Sequence, residues 1–275
     1  MTALDPTDMA AFFKMLRTNL GIDMALDKEY LLTSRLTPLA KSNGYPNLPA
    51  FLKAMVSTPV GQVHADAFEA MTTKETYFFR DAHPFEALKT VILPNIIEAR
   101  KLSRQLTVWS AASSTGQEAY SIAILLNDHF PQLFNWNIRI LATDISDTAL
   151  NKARAGVYSA MEVSRGLTAE QVEAHFDEQK GGTYALKDHI RSKVTCQNLN
   201  LMDSFAGMPH FDLILIRNVL IYFEQSTRMD ILKRVSNVLA KRDGCLMLGA
   251  SESILENNPF KQVNLPKCSY FMTRT

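Results

Sequence analysis

The sequence has few of the residues and patterns that mark specialised protein classes. Its three cysteines are scattered over 275 residues, which excludes a disulfide framework and predicts reduced thiols in a cytoplasmic protein. No apolar run reaches the roughly 18 residues of a membrane span, and no basic segment precedes an apolar one at the start. We therefore expect neither membrane insertion nor a secretory signal. The net charge of +1 gives no overall field that would attract nucleic acid.

Common catalytic signatures are missing as well. The six histidines have no spacing typical of metal ligands, so no metal site is predicted. The sequence contains neither a G-x-x-x-x-G-K-[ST] phosphate loop nor a G-x-G-x-x-G turn, and no Ser/His/Asp or Cys/His constellation. The composition, with 47% hydrophobic and 21% charged residues, is typical of a globular protein with one large domain or two smaller ones.

Residues 1–75 predict a small domain built from helices alone. The first helix is expected to begin at a cap on Asp8 and to end at Gly21. Its apolar side chains recur on one face, at Met9, Phe12, Phe13, Leu16 and Leu20. Further helical patterns cover about 27–41, with a break or kink at Pro38, then 49–56 and 61–71. Because these apolar faces need partners, we expect a helical bundle.

Residues 76–275 alternate between strand-like and helical patterns. The predicted strands are LTVWSA, NIRILATDI, KVTCQN, FDLILIRN, GCLMLGAS, FKQVN and SYFMTR. Helices are predicted between most of them, at about 115–128, 146–155 and 226–240. This alternation predicts an α/β fold with a doubly wound, seven-stranded, mostly parallel sheet that ends in a hairpin. Between residues 156 and 196 the alternation is interrupted, which predicts a small inserted β-subdomain.

The stretch VWSAASSTGQEAYSIAILLND, residues 108–128, joins the first predicted strand to a helix through a run of small residues. Small side chains let the backbone come close to a ligand, and doubly wound sheets bind ligands beyond the carboxyl ends of their strands. Only Gly116 remains of a glycine-rich turn, however, and tight packing of a helix on a strand explains the same residues. For this stretch alone, both interpretations stay open.

Polar residues at neighbouring strand ends favour a ligand. Glu118 lies in the first turn of the helix that follows the first predicted strand. Arg217 and Asn218 interrupt an apolar run at the end of the fourth strand. Asp144 ends the second strand, where a carboxylate either accepts hydrogen bonds from a ribose or caps the helix near Ser146. Because no phosphate loop is present, the sequence predicts a nucleoside ligand with little phosphate. Two carboxylates suit a cationic one such as S-adenosylmethionine, which indicates methyl transfer.

Five blocks of the sequence carry a resemblance to a known family. They are MTTKETYFFRDAHPFEAL, WSAASSTGQEAYSIA, ATDISDTALNKARAGVYS, NLNL and FDLILIRNVLIYF. Together, and in this order, they resemble the CheR-type chemotaxis receptor methyltransferases over nearly the whole chain. The resemblance implies that the protein transfers a methyl group from S-adenosyl-L-methionine to glutamate side chains of bacterial chemoreceptors. The products would be S-adenosyl-L-homocysteine and the glutamate methyl esters used in chemotactic adaptation.

The resemblance also implies which residues contact the cofactor. They are Lys74, Thr76, Arg80, Glu118, Asp144, Asn200, Leu201, Arg217 and Asn218. The family usually has Asn where this chain has Lys74. Arg80 is a predicted catalytic residue whose planar guanidinium either holds the methionine carboxylate of the cofactor or orients the substrate glutamate. Tyr222 is the second predicted catalytic residue, beside the path of the methyl group, with core packing as the alternative.

The implied partner is the cytoplasmic helical domain of chemoreceptors, docked on residues 1–75. Lys14, Arg17 and Arg35 are the predicted docking residues, and a solvated helix face is the alternative. A regulatory protein on the helical domain, a monomeric state and independence from the receptor's pentapeptide tether are further expectations. The last follows from the short loop at Gly181 and Gly182. The rival functions are a methyltransferase for RNA or small molecules and a non-catalytic nucleoside-binding module.

Overall fold

The computed structural model describes residues 4–254 and 258–274. The chain divides into two compact units. The helical unit contains residues 1–73 and 221–228, and the sheet unit contains residues 74–220 and 229–275.

The helices and strands are as follows. The helices are α1 Pro6–Leu20, α2 Glu29–Ser42, α3 Leu48–Ser57, α4 Gln62–Met71, α5 His83–Ala87, α6 Leu93–Arg100, α7 Gln117–His129, α8 Asp147–Ala155, α9 Ala160–Ser164, α10 Ala169–His175, α11 Asp188–Arg191 and α12 Gln225–Val238. The strands are β1 Gln105–Ala111, β2 Asn137–Asp144, β3 Val157–Ser159, β4 Phe176–Gln179, β5 Thr183–Leu186, β6 Val194–Asn198, β7 Leu213–Ile216, β8 Cys245–Leu248, β9 Phe260–Asn264 and β10 Ser269–Thr273. A π-helical turn, Leu88–Ile92, connects α5 to α6.

Helix α1 confirms the predicted apolar face, whose five side chains are buried. Its cap is Asp5 and not Asp8, because Pro6 occupies the first helical position and the Asp5 carboxylate accepts a hydrogen bond from Thr7 N at 2.7 Å. Gly21 ends the helix in the left-handed conformation at φ 73°, as predicted.

Helix α2 runs through Pro38, so of the two predicted outcomes at this residue, a break or a kink, the break is wrong. The proline is exposed, whereas Leu32, Leu36 and Ala40 on the opposite face are buried. Burial of that face outweighs the one backbone hydrogen bond that proline removes.

The segment 221–228 belongs to the helical unit, although it lies far away in sequence. Asp23 N donates a hydrogen bond to the carbonyl of Tyr222 at 2.8 Å, and Ile22 pairs with Phe223 as an isolated bridge. Arg17 forms an ion pair with Glu224. Tyr222 is therefore part of this unit through its backbone.

In the sheet unit, seven strands within the described ranges form the main sheet. Their spatial order is β6-β2-β1-β7-β8-β10-β9. The first five are parallel, and β10 is antiparallel to both β8 and β9. All seven predicted strands and the terminal hairpin are confirmed. The central strands β7 and β8 are buried along their whole length, as expected for parallel strands covered on both faces.

The strand order reverses at β1, which has β2 on one side and β7 on the other. Helices that follow strands on the two sides of such a reversal diverge, and a crevice opens between them at the carboxyl ends of the strands. The ends of β1, β2, β6 and β7 therefore define the place to look for a ligand.

The insertion between α8 and β6 forms a second sheet in the order β3-β5-β4, accompanied by short helices α9, α10 and α11. The turn from β4 to β5 spans only residues 180–182, so the loop predicted to be short is short. Phe78 packs edge-on against Tyr158 at 5.1 Å and against Phe176 at 5.7 Å between ring centroids. The insertion thereby holds the segment that precedes α5.

Candidate cofactor and active site

The corner between β1 and α7 consists of residues with small side chains. Ala112, Ser114 and Gly116 all have left-handed φ angles, of 53°, 51° and 93°. A Cβ atom on Gly116 would lie 2.8 Å from the Cβ of Ala153 in α8, which is closer than real contacts allow. The two interpretations left open by the sequence therefore apply to different residues. Gly116 permits close helix packing, whereas the residues before it shape a loop at the crevice.

Ser113 lies at the centre of this corner. Its backbone N–H donates to the carbonyl of Thr143 at 2.8 Å, which ties the corner to β2. Its hydroxyl oxygen is buried and has no hydrogen-bond partner among the described residues. A buried hydroxyl without a partner is unfavourable in a finished core and is expected where a ligand supplies the missing bond.

Asp144 at the end of β2 joins the corner to the start of α8. Its carboxylate accepts hydrogen bonds from Ser114 N at 2.8 Å and Ser146 N at 2.9 Å, one on each oxygen. The cap of α8 is Ser146, whose hydroxyl accepts from Ala149 N, so the alternative role of Asp144 as the cap is wrong. A carboxylate has about four acceptor positions, so these two amides do not use all of them.

Burial raises the pKa of Asp144, although its hydrogen bonds with backbone amides and the nearby ammonium group of Lys74 oppose this effect. Lys74 belongs to the segment that contacts the corner, since Ser114 Oγ donates to the carbonyl of Lys74 at 2.8 Å. Thr76 is half-buried in the same segment. The structure thus brings Lys74 and Asp144 together.

Arg217 is the centre of a buried charge network, with only 1% of its side chain exposed. Nη1 donates to Glu118 Oε2 at 2.9 Å, and Nη2 donates to Asp81 Oδ2 at 3.0 Å and to the carbonyl of Arg80 at 2.8 Å. The other oxygen of Glu118 accepts from Ser110 Oγ at 2.8 Å. Glu118 and Arg217, which were predicted at neighbouring strand ends, do lie together. Because Arg217 balances the charge of Glu118, the crevice is less acidic than the two predicted carboxylates indicated.

Arg80 is held differently. Its Nη1 donates to the carbonyl of Glu75 at 2.8 Å, and its guanidinium lies 5.7 Å from the ring centroid of Tyr77. The same ring contacts the guanidinium of Arg165 from the insertion at 4.0 Å, and Arg165 also forms an ion pair with Glu75. Arg80 therefore takes part in the network of Arg217 through its backbone carbonyl, while its side chain lies on the half-exposed side of the segment.

Asn200 and Leu201 follow β6. Asn200 Oδ1 accepts a hydrogen bond from Met202 N at 3.0 Å, and Leu201 is buried. Leu199 N donates to the carbonyl of Asp144 at 3.1 Å, which fastens the start of this turn to the end of β2. These two predicted residues therefore lie at the same edge of the sheet as Asp144.

Asn218 begins the turn after β7 with a left-handed φ of 59°. The Glu252 carboxylate accepts hydrogen bonds from the backbone amides of Asn218, Val219, Leu220 and Gly249 at 2.7–2.9 Å. Sequence reasoning missed Glu252. The available signal was a carboxylate in the segment GASES directly after an apolar strand, but three of its four partners lie more than 30 residues earlier in the chain.

In the described part of the chain, no group of three or more His, Cys, Asp and Glu side chains is arranged to hold a metal ion. Within the same ranges, no helix has the length and apolar character needed to cross a membrane.

The fold and these residues together define a class. The sheet is doubly wound, a carboxylate ends β2, and a buried hydroxyl without a partner among the described residues lies in the adjacent corner. The loop at this corner has no phosphate-binding motif. These features fit a nucleoside with a ribose and little phosphate. These are the properties of an S-adenosylmethionine-dependent methyltransferase.

Comparisons with known proteins agree. Residues 74–269 match the family described as CheR methyltransferase, SAM binding domain, and residues 7–72 match the CheR methyltransferase all-alpha domain. Chemotaxis protein methyltransferase 1 of Pseudomonas aeruginosa is 38% identical over 266 residues, which cover 95% of each chain. Chemotaxis protein methyltransferase Cher2 of Pseudomonas putida is 38% identical, with 90% of each chain covered. A chemotaxis protein methyltransferase of Vibrio parahaemolyticus is 38% identical, with 92% of each chain covered.

The chain belongs to the CheR methyltransferase family. Its methyl donor is S-adenosylmethionine, and its function is the methylation of chemoreceptor glutamates. The predicted family, fold class, enzyme class and cofactor are confirmed.

Proposed function

We propose that the crevice at the ends of β1, β2, β6 and β7 is the site where a receptor glutamate is methylated. The observation that supports this most directly is that one corner of the crevice contains both the Asp144 carboxylate, which Ser114 N holds, and the Ser113 hydroxyl, which has no partner among the described residues. The Asp144 carboxylate has about four acceptor positions, more than its amides from Ser114 and Ser146 use. Both are suited to the hydroxyl and amine groups of S-adenosylmethionine.

When bound, S-adenosylmethionine supplies an electrophilic methyl group on a positively charged sulfur. Asp144 is proposed to accept hydrogen bonds from its ribose, while Asn200 and Leu201 border the adenine. Lys74 balances part of the charge of Asp144, so this chain has a cation where the family usually has an amide. The remaining residues proposed to take part in cofactor binding are Thr76, Arg80, Glu118, Arg217 and Asn218.

Arg217 acts through its partners in this proposal. Its guanidinium binds Glu118 and Asp81, and it thereby fixes the first turn of α7 relative to the segment that carries Arg80. A buried Arg with two carboxylate partners fixes the orientation of both carboxylates through charge-assisted hydrogen bonds. It needs no direct contact with the cofactor to be essential for its binding.

The chemistry requires no general base. A glutamate carboxylate, with an ordinary pKa near ~4.3, is already ionised at neutral pH and is itself the nucleophile. The task of the residues in the crevice is to align one carboxylate oxygen with the methyl group and to exclude water. Alignment of this kind contributes on the order of 7–11 kcal/mol to rate enhancement.

Arg80 has two proposed roles, binding of the cofactor's carboxylate and orientation of the substrate glutamate. Its side chain is half-exposed and donates one hydrogen bond to the described residues, so it has further N–H donors to offer a ligand. Arg80→Ala distinguishes the roles. A large loss of affinity for S-adenosylhomocysteine supports the first role, whereas unchanged affinity with lost turnover supports the second. Tyr222 is tested in the same assay, with Tyr222→Phe expected to lower turnover if its hydroxyl borders the methyl path.

The helical unit is proposed to dock on the cytoplasmic helical domain of the receptor. Arg35 donates to the carbonyl of Met71, and Arg17 pairs with Glu224, so both have structural roles. Lys14 is exposed and offers the cleaner test of docking. A regulatory protein on this unit, a monomeric state and a cytoplasmic location complete the proposal.

The insertion is proposed to work without the receptor's pentapeptide tether, because the turn at residues 180–182 is too short to form an extended clamp. Calorimetry with the isolated pentapeptide is expected to show no binding. A clear binding signal would contradict this part of the proposal and leave the methyl transfer itself unaffected.

The decisive experiment uses tritiated S-adenosylmethionine and receptor-containing membranes, followed by alkaline treatment. Glutamate methyl esters release methanol in alkali, whereas N-methylated products do not. Wild-type protein is expected to give base-labile label, and Asp144→Ala is expected to give little. Label on RNA or small molecules would support the rival methyltransferase, and cofactor binding without any transfer would support a nucleoside-binding module.

A further inference from the structure

The carboxylate of Glu252 is saturated by backbone amides. Oε2 accepts from Asn218 N at 2.8 Å and from Gly249 N at 2.7 Å. Oε1 accepts from Val219 N at 2.9 Å and from Leu220 N at 2.7 Å. A carboxylate has about four lone-pair directions, so all its acceptor capacity is used inside the protein. Glu252 therefore shapes the backbone around it and has no capacity left for a ligand.

The amides of residues 218–220 all donate to the carboxylate of Glu252, and a negative charge stabilises such an arrangement of amides. Asn218 has a φ of 59°, which is unfavourable for a residue with a side chain. The hydrogen bond from its own N–H to Glu252 offsets that strain. The conformation of Asn218 thus depends on a carboxylate 34 residues further along the chain.

Gly249 shows how closely the two segments approach. A Cβ atom at this position would lie 2.7 Å from Glu252 Oε2, 2.8 Å from Asn218 N and 2.9 Å from Asn218 Nδ2. The side-chain amide of Asn218 is therefore confined between the end of β8 and its own turn. Gly249 leaves the space in which Glu252 and Asn218 meet.

We propose that Glu252 is a positioning residue for the cofactor, acting through Asn218. It holds the left-handed turn after β7 so that the Asn218 side chain faces the crevice in one orientation. This inference rests on the proposed role of Asn218 in cofactor binding. The segment after β8 would then contribute to the site, although it lies away from the proposed cofactor-binding corner at the ends of β1 and β2.

The test is a double-mutant cycle with S-adenosylhomocysteine binding as the readout. Glu252→Gln keeps one acceptor oxygen and replaces the other with a donor, so two of the amides lose their partner. Its dissociation constant is expected to rise about tenfold. Asn218→Ala is expected to give a similar rise, and the double variant is expected to bind no more weakly than Asn218→Ala alone. Additive losses in the double variant would overturn the proposal, because Glu252 would then act independently of Asn218.

A matched control lies at the opposite end of β7. The Asp212 carboxylate accepts hydrogen bonds from Arg100 Nε at 2.6 Å and Thr107 N at 2.9 Å, so it also binds a backbone amide next to the same strand. Asp212→Asn is expected to lower Tm while leaving the dissociation constant unchanged below Tm. If Glu252→Gln lowers Tm in the same way and binds as tightly as the wild type, Glu252 is merely structural.

Two further variants keep the test valid if Glu252→Gln folds poorly. Glu252→Asp retains the charge but shortens the side chain, and it is expected to bind with intermediate affinity. Gly249→Ala retains the Glu252 carboxylate but displaces it by steric contact, with the same loss expected as for Glu252→Gln. Wild-type affinity in folded Gly249→Ala would also overturn the proposal. If the wild-type protein itself does not bind S-adenosylhomocysteine, the proposed function fails together with this inference. Normal binding by both wild type and Asn218→Ala removes the inference alone.

Discussion

The corners after β1 and after β7 face the same crevice but are built in opposite ways. After β1, the chain turns through small residues, with Ala112, Ser114 and Gly116 in left-handed conformations and few side chains to fill the space. After β7, the chain turns through a charged residue and an amide, with Arg217 bound to two carboxylates and Asn218 held by Glu252.

The difference shows two physical solutions to one requirement. A backbone that must approach a ligand can be freed by removing side chains, or it can be held by buried charges that satisfy its polar groups. The first solution depends on sterics and is local in sequence. The second depends on partners from distant segments, so a single substitution there disturbs several elements at once. The following changes test this contrast, beginning with the largest expected effect.

Arg217→Met is expected to destabilise the protein most. It removes the cation that binds Glu118 and Asp81 and leaves two carboxylates without it in a largely buried site. Breaking a buried ion pair by removing one partner typically lowers the free energy of unfolding by about 3–5 kcal/mol. Urea denaturation measures the change. Arg191→Ala, which removes an exposed pair with Asp188, is the control and should unfold like the wild type. Equal midpoints for the two variants would contradict a charge-held corner.

Gly116→Ala is expected to lower the free energy of unfolding by about 2–4 kcal/mol. The new methyl group combines a strained φ with a 2.8 Å contact to the Cβ of Ala153. Gly181→Ala is a matched control, since Gly181 has a φ of 95° but no atom within 4 Å of the position that its new methyl group would take. It should show the backbone part alone, about 1–2 kcal/mol. Similar losses in both variants would mean that helix packing plays no part at Gly116.

The affinity for S-adenosylhomocysteine is expected to decrease in acid. The midpoint of this decrease should lie above ~3.9, the pKa of an ordinary aspartate. Burial makes the pKa of Asp144 higher in the folded than in the unfolded protein. The contribution of this group to the stability of the fold is therefore fully present below its unfolded pKa, and it is lost as the pH rises through its folded pKa. Binding has the opposite sign, because the ribose hydroxyls need the ionised carboxylate as acceptor. We expect an affinity loss of about tenfold on full protonation.

Calorimetry at a series of pH values measures this dependence. Asp144→Asn is expected to bind weakly at all pH values and to show a flat profile. Lys74→Met removes a cation that favours ionised Asp144, so it should move the decline to higher pH. A wild-type profile identical to that of Asp144→Asn would exclude Asp144 as the titrating group.

Ser113→Ala is expected to have the smallest effect on stability. Because the hydroxyl has no partner among the described residues, its removal should change the free energy of unfolding by less than about 1 kcal/mol. Cofactor affinity should nevertheless decrease several-fold. Thr143→Ala, which removes the acceptor of the buried Trp109 Nε1–H, is the control and should lower stability instead. Unchanged affinity in Ser113→Ala would show that this hydroxyl does not face the ligand.

Most of the fold could be predicted because its signals are local. Each strand of a covered parallel sheet is a continuous apolar run, and β7 and β8 are buried throughout. The same reasoning located Asp144 and Arg217, since a polar residue that ends such a run lies at the edge of the sheet. The missed details depend on partners. The continuation of α2 through Pro38 follows from the burial of Leu36 on the opposite face, and Glu252 acquires its meaning only from the amides after β7.

The amino-acid sequence alone determined the order of the elements, the family and the set of residues at the carboxyl ends of the strands, because hydrophobic periodicity and motif spacing are properties of neighbouring residues. The tertiary structure decided which charges pair, which turns take a left-handed conformation and which hydroxyl stays without a partner. Hydrogen bonds and ion pairs act over about 3 Å, so their partners are known only once segments distant in sequence have been brought together.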